Sequence, residues 1–206
     1  MGGTLIRGPA TRGADGLSNS IERRYSAVMT ANHSRLIALL SAILAAAALR
    51  LVPHPPNFSP IGAMALFSGA YLGRRSLALL APLAALFLSD LVLGFYRGMG
   101  TVYFSVALIV VLGALALRRA SAVRVGFAAL ASSILFFVLT NFGMWLLSGF
   151  YPRTLAGLET CYIAAIPFFQ NTLAGDLFYA ALLFGGLAVA ERLIPQIRGA
   201  GAAQPA

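Results

Sequence analysis

Lysine is absent from this chain, and six acidic side chains stand against fifteen arginines for a net charge of +9. Charged residues make up only 10% of the 206 positions, too few to coat a soluble domain of this length. The basic balance, with a pI near 10.8, would suit a nucleic-acid binder, but the arginines lie scattered in short turns and form no stripe. Nucleic acid is therefore excluded as a partner. A single cysteine, Cys161, rules out an intrachain disulfide and any Cys-rich metal centre, and it reads as a neutral thiol. The two histidines, His33 and His54, are separated by an apolar span and have no third candidate ligand, so no metal is expected.

Catalytic motifs are missing as well. No glycine-rich phosphate loop ends in Lys-Ser or Lys-Thr, so the chain does not hydrolyse a nucleotide by itself. There is no His-Glu-x-x-His helix, no acid pair suited to an intramembrane protease, and no ladder of acids through the depth of a bilayer. No cofactor and no enzymatic activity are expected.

What is present is apolar: 59% hydrophobic residues and a mean hydropathy of +0.84. Apolar spans fall at 35–52, 60–73, 76–95, 102–117, 122–148 and 169–191, separated by Arg, Gly or Pro clusters. The fold expected is an all-α polytopic membrane protein with six transmembrane helices. Residues 1–34 read as a disordered cytoplasmic tail, with Met29 a candidate start, and 194–206 as a second tail flanking a membrane domain at 35–193. The second span has about 14 residues against the ~20 that cross a bilayer, so its crossing needs a separate argument. If all six spans cross from an inner N-terminus, twelve arginines lie inside and three, Arg50, Arg97 and Arg153, outside. If the second span turns back, the split is seven against eight. The positive-inside rule selects six crossings with both termini cytoplasmic.

That topology gathers the costly polar groups at the outer end. Asp90 and Asp176 are the acids inside spans, where charge costs a few kcal/mol. Near them come Arg50 and the turn Pro53-His54-Pro55-Pro56-Asn57-Phe58-Ser59-Pro60, whose prolines leave the backbone little freedom. Asn141, Trp145 and Ser148 share a stripe on the fifth span, Gln170 and Asn171 open the sixth, and Tyr151 and Arg153 sit in the loop between. Residues 150–167, long and half apolar, read as a lid lying on the membrane surface. The candidate substrate-binding set is Arg50, His54, Asn57, Asp90, Asn141, Trp145, Tyr151, Arg153, Asn171 and Asp176. The alternative for each acid is a purely structural ion pair with arginine. Small residues at four-residue spacing, Ala42/Ala46, Gly69/Gly73, Ala181/Gly185 and Gly186/Ala190, mark faces where helix backbones can touch.

Five segments, 50–73, Pro82–Phe95, Leu139–Trp145, Tyr151–Leu158 and Ile166–Asp176, resemble an uncharacterised family of bacterial membrane transport proteins. In size, span number and placement of polar residues, the chain also resembles the substrate-binding S components of energy-coupling-factor vitamin transporters. That resemblance implies an inner-membrane protein with an outward pocket for a small polar or vitamin-like substrate. It also implies a coupling membrane subunit and ATPase subunits as partners, docked on the first helix, where Ala42 and Ala46 fall. Two other readings stand beside transport: a scaffold whose polar layer is structural, and a membrane enzyme using Asp90 or Asp176 on a lipid-like substrate.

Overall fold

A computed structural model describes residues 30, 32–72 and 76–198; the tail readings for 1–29 and 199–206, together with Gly73, fall outside the described residues. Six helices make up the bundle, and no strand occurs among the described residues: α1 (Asn32–Leu49), α2 (Ile61–Leu72), α3 (Ser76–Leu93), α4 (Met99–Ala116), α5 (Ala122–Leu147) and α6 (Leu155–Leu193). All but α2 are long and apolar enough to span a bilayer. Their outward faces leave large apolar side chains uncovered, among them Ile37, Leu80, Leu115, Phe127 and Val189. An uncovered belt of that size suits lipid and not water.

The short helix is the centre of the fold. Every residue of α2 from Ile61 to Gly69 is buried, with α3, α4, α5 and α6 packed around it. Its closest neighbour is α4: a Cβ on Gly69 would collide with the Val110 carbonyl, and one on Gly113 with the Leu66 carbonyl. Two glycines facing each other's backbones let the helices touch where no side chain fits.

At ~1.5 Å per residue α2 is only ~18 Å long, yet it joins both ends of the bundle. Its first turn lies beside Asp176 and the cavity described below. At its last turn the Tyr71 ring packs at a tilt against Phe184 at 5.5 Å, and the Arg35 guanidinium lies 5.8 Å from the Tyr71 centroid. The Pro-rich loop and the cavity fill the depth that α2 does not reach. Arg35 also donates to Glu191 Oε1 at 2.5 Å and to the Ile197 carbonyl at 2.7 Å, which brings the start of α1 against the end of α6. Residues 195–197 form a 3-10 turn with Ile197 buried, so the ordered chain continues past the expected boundary at 193.

One expectation changes here. Residues 150–167 are not a surface lid: Thr154 caps a helix by accepting from the Gly157 amide at 3.2 Å, and that helix runs unbroken for 39 residues through Pro167. Its length is ~58 Å, well beyond the ~30 Å hydrocarbon core. Pro167 removes a single backbone donor. Upstream of it the helix is tied to α5 by Tyr162 Oη donating to the Val138 carbonyl at 2.7 Å and by Cys161 Sγ at 3.4 Å from the Asn141 carbonyl. The small-residue faces divide between two uses. Ala46 is 2% exposed and Ala42 packs on the same core, so this pair is used inside the bundle. Ala181 and Gly185 instead line an apolar groove of about 530 Å³ between α5 and α6.

Candidate functional cavity

The loop that closes α1 onto α2 is built by its own sequence. Pro55 accepts from the Phe58 amide at 3.0 Å, and Asn57 takes a φ of 64°, the geometry of a turn with proline second and a left-handed residue third. One face of α6 receives the turn. Asn171 Nδ2 donates to the Pro56 carbonyl at 2.9 Å, and Phe58 packs on Phe178 and Tyr179 at 5.7 and 5.6 Å. Gly175 lies so close that a Cβ there would come within 3.0 Å of the Ser59 amide.

Beneath this loop lies a cavity of about 480 Å³. Its polar lining comes from Arg50, His54, Asn57 and Ser59 of the loop, Thr140 and Asn141 of α5, and Thr172 and Asp176 of α6. The rest of the wall is aromatic and aliphatic: Tyr96, Phe136, Phe137, Phe168 and Phe169, with Ile61, Leu93, Val102 and Met144. Phe137 and Phe169 meet edge to face at 5.1 Å where α5 and α6 come together. Pockets of this size and mixture suit a small organic molecule.

The two buried acids have different neighbours. Asp90, fully buried, is answered within the bundle: Arg50 Nη1 lies 2.9 Å from Oδ1 and Tyr103 Oη donates to Oδ2 at 2.9 Å. Ser89 Oγ also meets Arg50 Nη1 and itself donates to the Leu86 carbonyl at 2.7 Å. Asp90 thus stands behind the cavity and sets the position of Arg50, which lines it. Tyr96, in the loop after α3, also lines it; burial pushes its phenol up from the ordinary value, Asp90 adds to the rise and Arg50 opposes it.

Asp176 belongs to the cavity wall and is 2% exposed. Ser133 Oγ donates to its Oδ2 at 2.7 Å, and the Ala63 amide in the first turn of α2 faces the same carboxylate. The carboxylate therefore answers unpaired amides at a helix start, with the positive end of the helix dipole behind them. No basic side chain among the described residues ion-pairs with it; the ion pairs found there are Arg50–Asp90 and Arg35–Glu191. Ser132 Oγ, buried one residue along α5, makes no close hydrogen bond among the described residues but faces the same carboxylate.

Of the ten residues expected to bind substrate, Arg50, His54, Asn57, Asn141 and Asp176 line the cavity. The other five do not. Asp90 is spent on Arg50 and Tyr103, and Asn171 on the Pro56 carbonyl. Trp145 Nε1 donates to the Pro152 carbonyl at 2.9 Å, which ties the α5–α6 turn, and Tyr151 and Arg153 lie within that turn, with Arg153 exposed. The aromatic lining and the threonines were missed. Their signal was helical spacing: Phe137, Asn141 and Met144 share one face of α5, while Ala165, Phe168, Phe169, Thr172 and Asp176 share one face of α6.

No curated protein and no solved structure matches the chain. A family model covers residues 30–197, which takes in all six helices and the cavity, and the chain therefore belongs to a family of unknown function (DUF6580).

Proposed function

We propose that this protein is a multi-pass component of a bacterial inner membrane that captures a small molecule in the cavity beneath the Pro-rich loop for transport across the bilayer. The observation that carries the reading is the cavity itself: about 480 Å³, aromatic on its walls, with an aspartate and an asparagine converging on it from two separate helices and an arginine from the loop. Buried polar groups aimed into a space at one end of a lipid-embedded bundle are costly unless something uses them. In this reading the cavity opens outward and both termini are cytoplasmic. Support comes from the twelve-to-three arginine count and from the meeting of α1 and α6 at the opposite end. Energy would come from partner subunits, a coupling membrane protein and ATPases, since the chain has no nucleotide site of its own.

Native mass spectrometry of the purified full chain tests capture. A small-molecule adduct is expected on the wild-type protein and is expected to be lost in Asn141→Leu, which fills the cavity while leaving the α6 contacts alone. A protein free of adduct from several lipid extracts, with uptake by cells unaltered by Asn141→Leu, would sink the reading. Orientation is read separately in a Cys161→Ser background: His54→Cys should react with an impermeant maleimide on whole cells and Arg118→Cys should not.

A further inference from the structure

The charges around the cavity do not cancel. Arg50 and Asp90 neutralise each other at 2.9 Å, and the second acid, Asp176, meets no basic side chain among the described residues. What Asp176 does meet, the serine hydroxyls of α5 and the start of α2, offsets about half a charge. The start of α2 would by itself invite an anion, but Asp176 already occupies that position. Much of the remaining wall is aromatic. Phe136, Phe137, Phe168, Phe169 and Tyr96 present aromatic surface to the space that Asp176 borders. Aromatic faces attract a desolvated organic cation, and they offer an anion nothing comparable.

We infer that the cavity selects a small, flat organic cation, its positive nitrogen set toward Asp176 and its ring packed against the phenylalanines of α5 and α6. This deepens the capture reading and rests on it. An anionic ligand would share the cavity with the Asp176 carboxylate and compete with Asp90 for Arg50. A neutral ligand keeps the ring contacts and forgoes the charge.

Three probes of one ring size separate these cases: 1-methylnicotinamide, which is cationic, nicotinamide, which is neutral, and nicotinate, which is anionic. Binding to the purified full chain in detergent is measured by calorimetry. The cation is expected to bind at least about tenfold more tightly than the neutral amide, equivalent to ~1.4 kcal/mol, and the anion most weakly. Asp176→Asn can still accept from Ser133 and Ala63, and it should erase that gap without abolishing nicotinamide binding. Phe169→Leu, which leaves Asp176 untouched, should weaken the cation more than the neutral amide.

Equal binding of all three probes, preference for nicotinate, a gap that survives Asp176→Asn, or no binding of any probe at millimolar concentration would overturn the inference. If nicotinamide or nicotinate binds best and Asn141→Leu abolishes it, the cavity remains a ligand site and only the charge assignment fails.

Discussion

Gly62 is pressed against the carboxylate of Asp176: a Cβ added to it would lie 2.8 Å from Cγ of the aspartate. The pair joins the first turn of the enclosed helix α2 to the middle of α6, and it leaves room for hydrogen at position 62 and for nothing larger. Gly62→Ala must push the carboxylate off the Ala63 amide or shift the helix. Overpacking of this kind costs about 1–3 kcal/mol. The expected outcome is a lower midpoint of thermal unfolding in detergent together with weakened cation binding, whereas Gly126→Ala, where a Cβ would meet nothing within 4 Å, should leave both unchanged. Equal melting of the two variants would show that the contact is dispensable.

Arg50 and Asp90 call for a different experiment, because each is satisfied by the other. Removing one partner strands a buried charge, and such losses run to about 3–5 kcal/mol. Arg50→Met alone and Asp90→Leu alone should each lower stability strongly. The double variant should recover much of the loss, since neither charge is then left unpaired. Thermal melts of the four proteins form the cycle, and additive losses would deny the pairing.

Much of this architecture was legible because lipid makes polar residues expensive. Asp90, Asn141 and Asp176 stood out within apolar runs, and the spacing of those runs foretold an all-helical bundle. The start of α6 was not legible: Pro152 and Pro167 bracket a stretch whose turn chemistry resembles a loop, and tethers from Tyr162 and Cys161 to α5 hold it as helix. Nor could spacing tell which acid would face the cavity. Both fall near the outer ends of the spans read from the sequence, 76–95 and 169–191, and Tyr103, an ordinary residue in an apolar run, decides the matter by joining Arg50 on Asp90.

Asn171 and Trp145 separate positioning from binding. Asn171→Ala frees the Pro56 carbonyl and should raise amide exchange around Phe58 in the loop, with a stability loss of about 0.5–1.5 kcal/mol. Trp145→Phe keeps a ring against Phe142, now 5.4 Å away, and removes the donor to Pro152, so its exchange should rise in the α5–α6 turn instead. Neither side chain lines the cavity, and probe affinity measured at saturating folded protein should stay within about threefold of wild type. A large loss of affinity in Trp145→Phe with unchanged exchange would place that indole in contact with ligand.

The crossing of α2 and α4 gives the most demanding stability test. Leu66 and Val110 present their carbonyls where Gly113 and Gly69 leave a gap, so each helix rests on the other's backbone. A backbone cannot rotate away as a flexible side chain can. Gly69→Ala should therefore destabilise by more than the usual penalty for one added methyl, about 3 kcal/mol or above, and Gly113→Ala by a similar amount. The double variant should lose less than the sum of the two, because the separation forced by the first methyl makes room for the second. Melting temperature and the fraction of monodisperse protein in detergent read this directly. Gly185→Ala, where a Cβ meets open space, is the matched control and should behave as wild type. Tolerance of both substitutions on the α2–α4 contact would mean that the enclosed helix is not seated where its glycines put it, and the cavity above it would have to be drawn again.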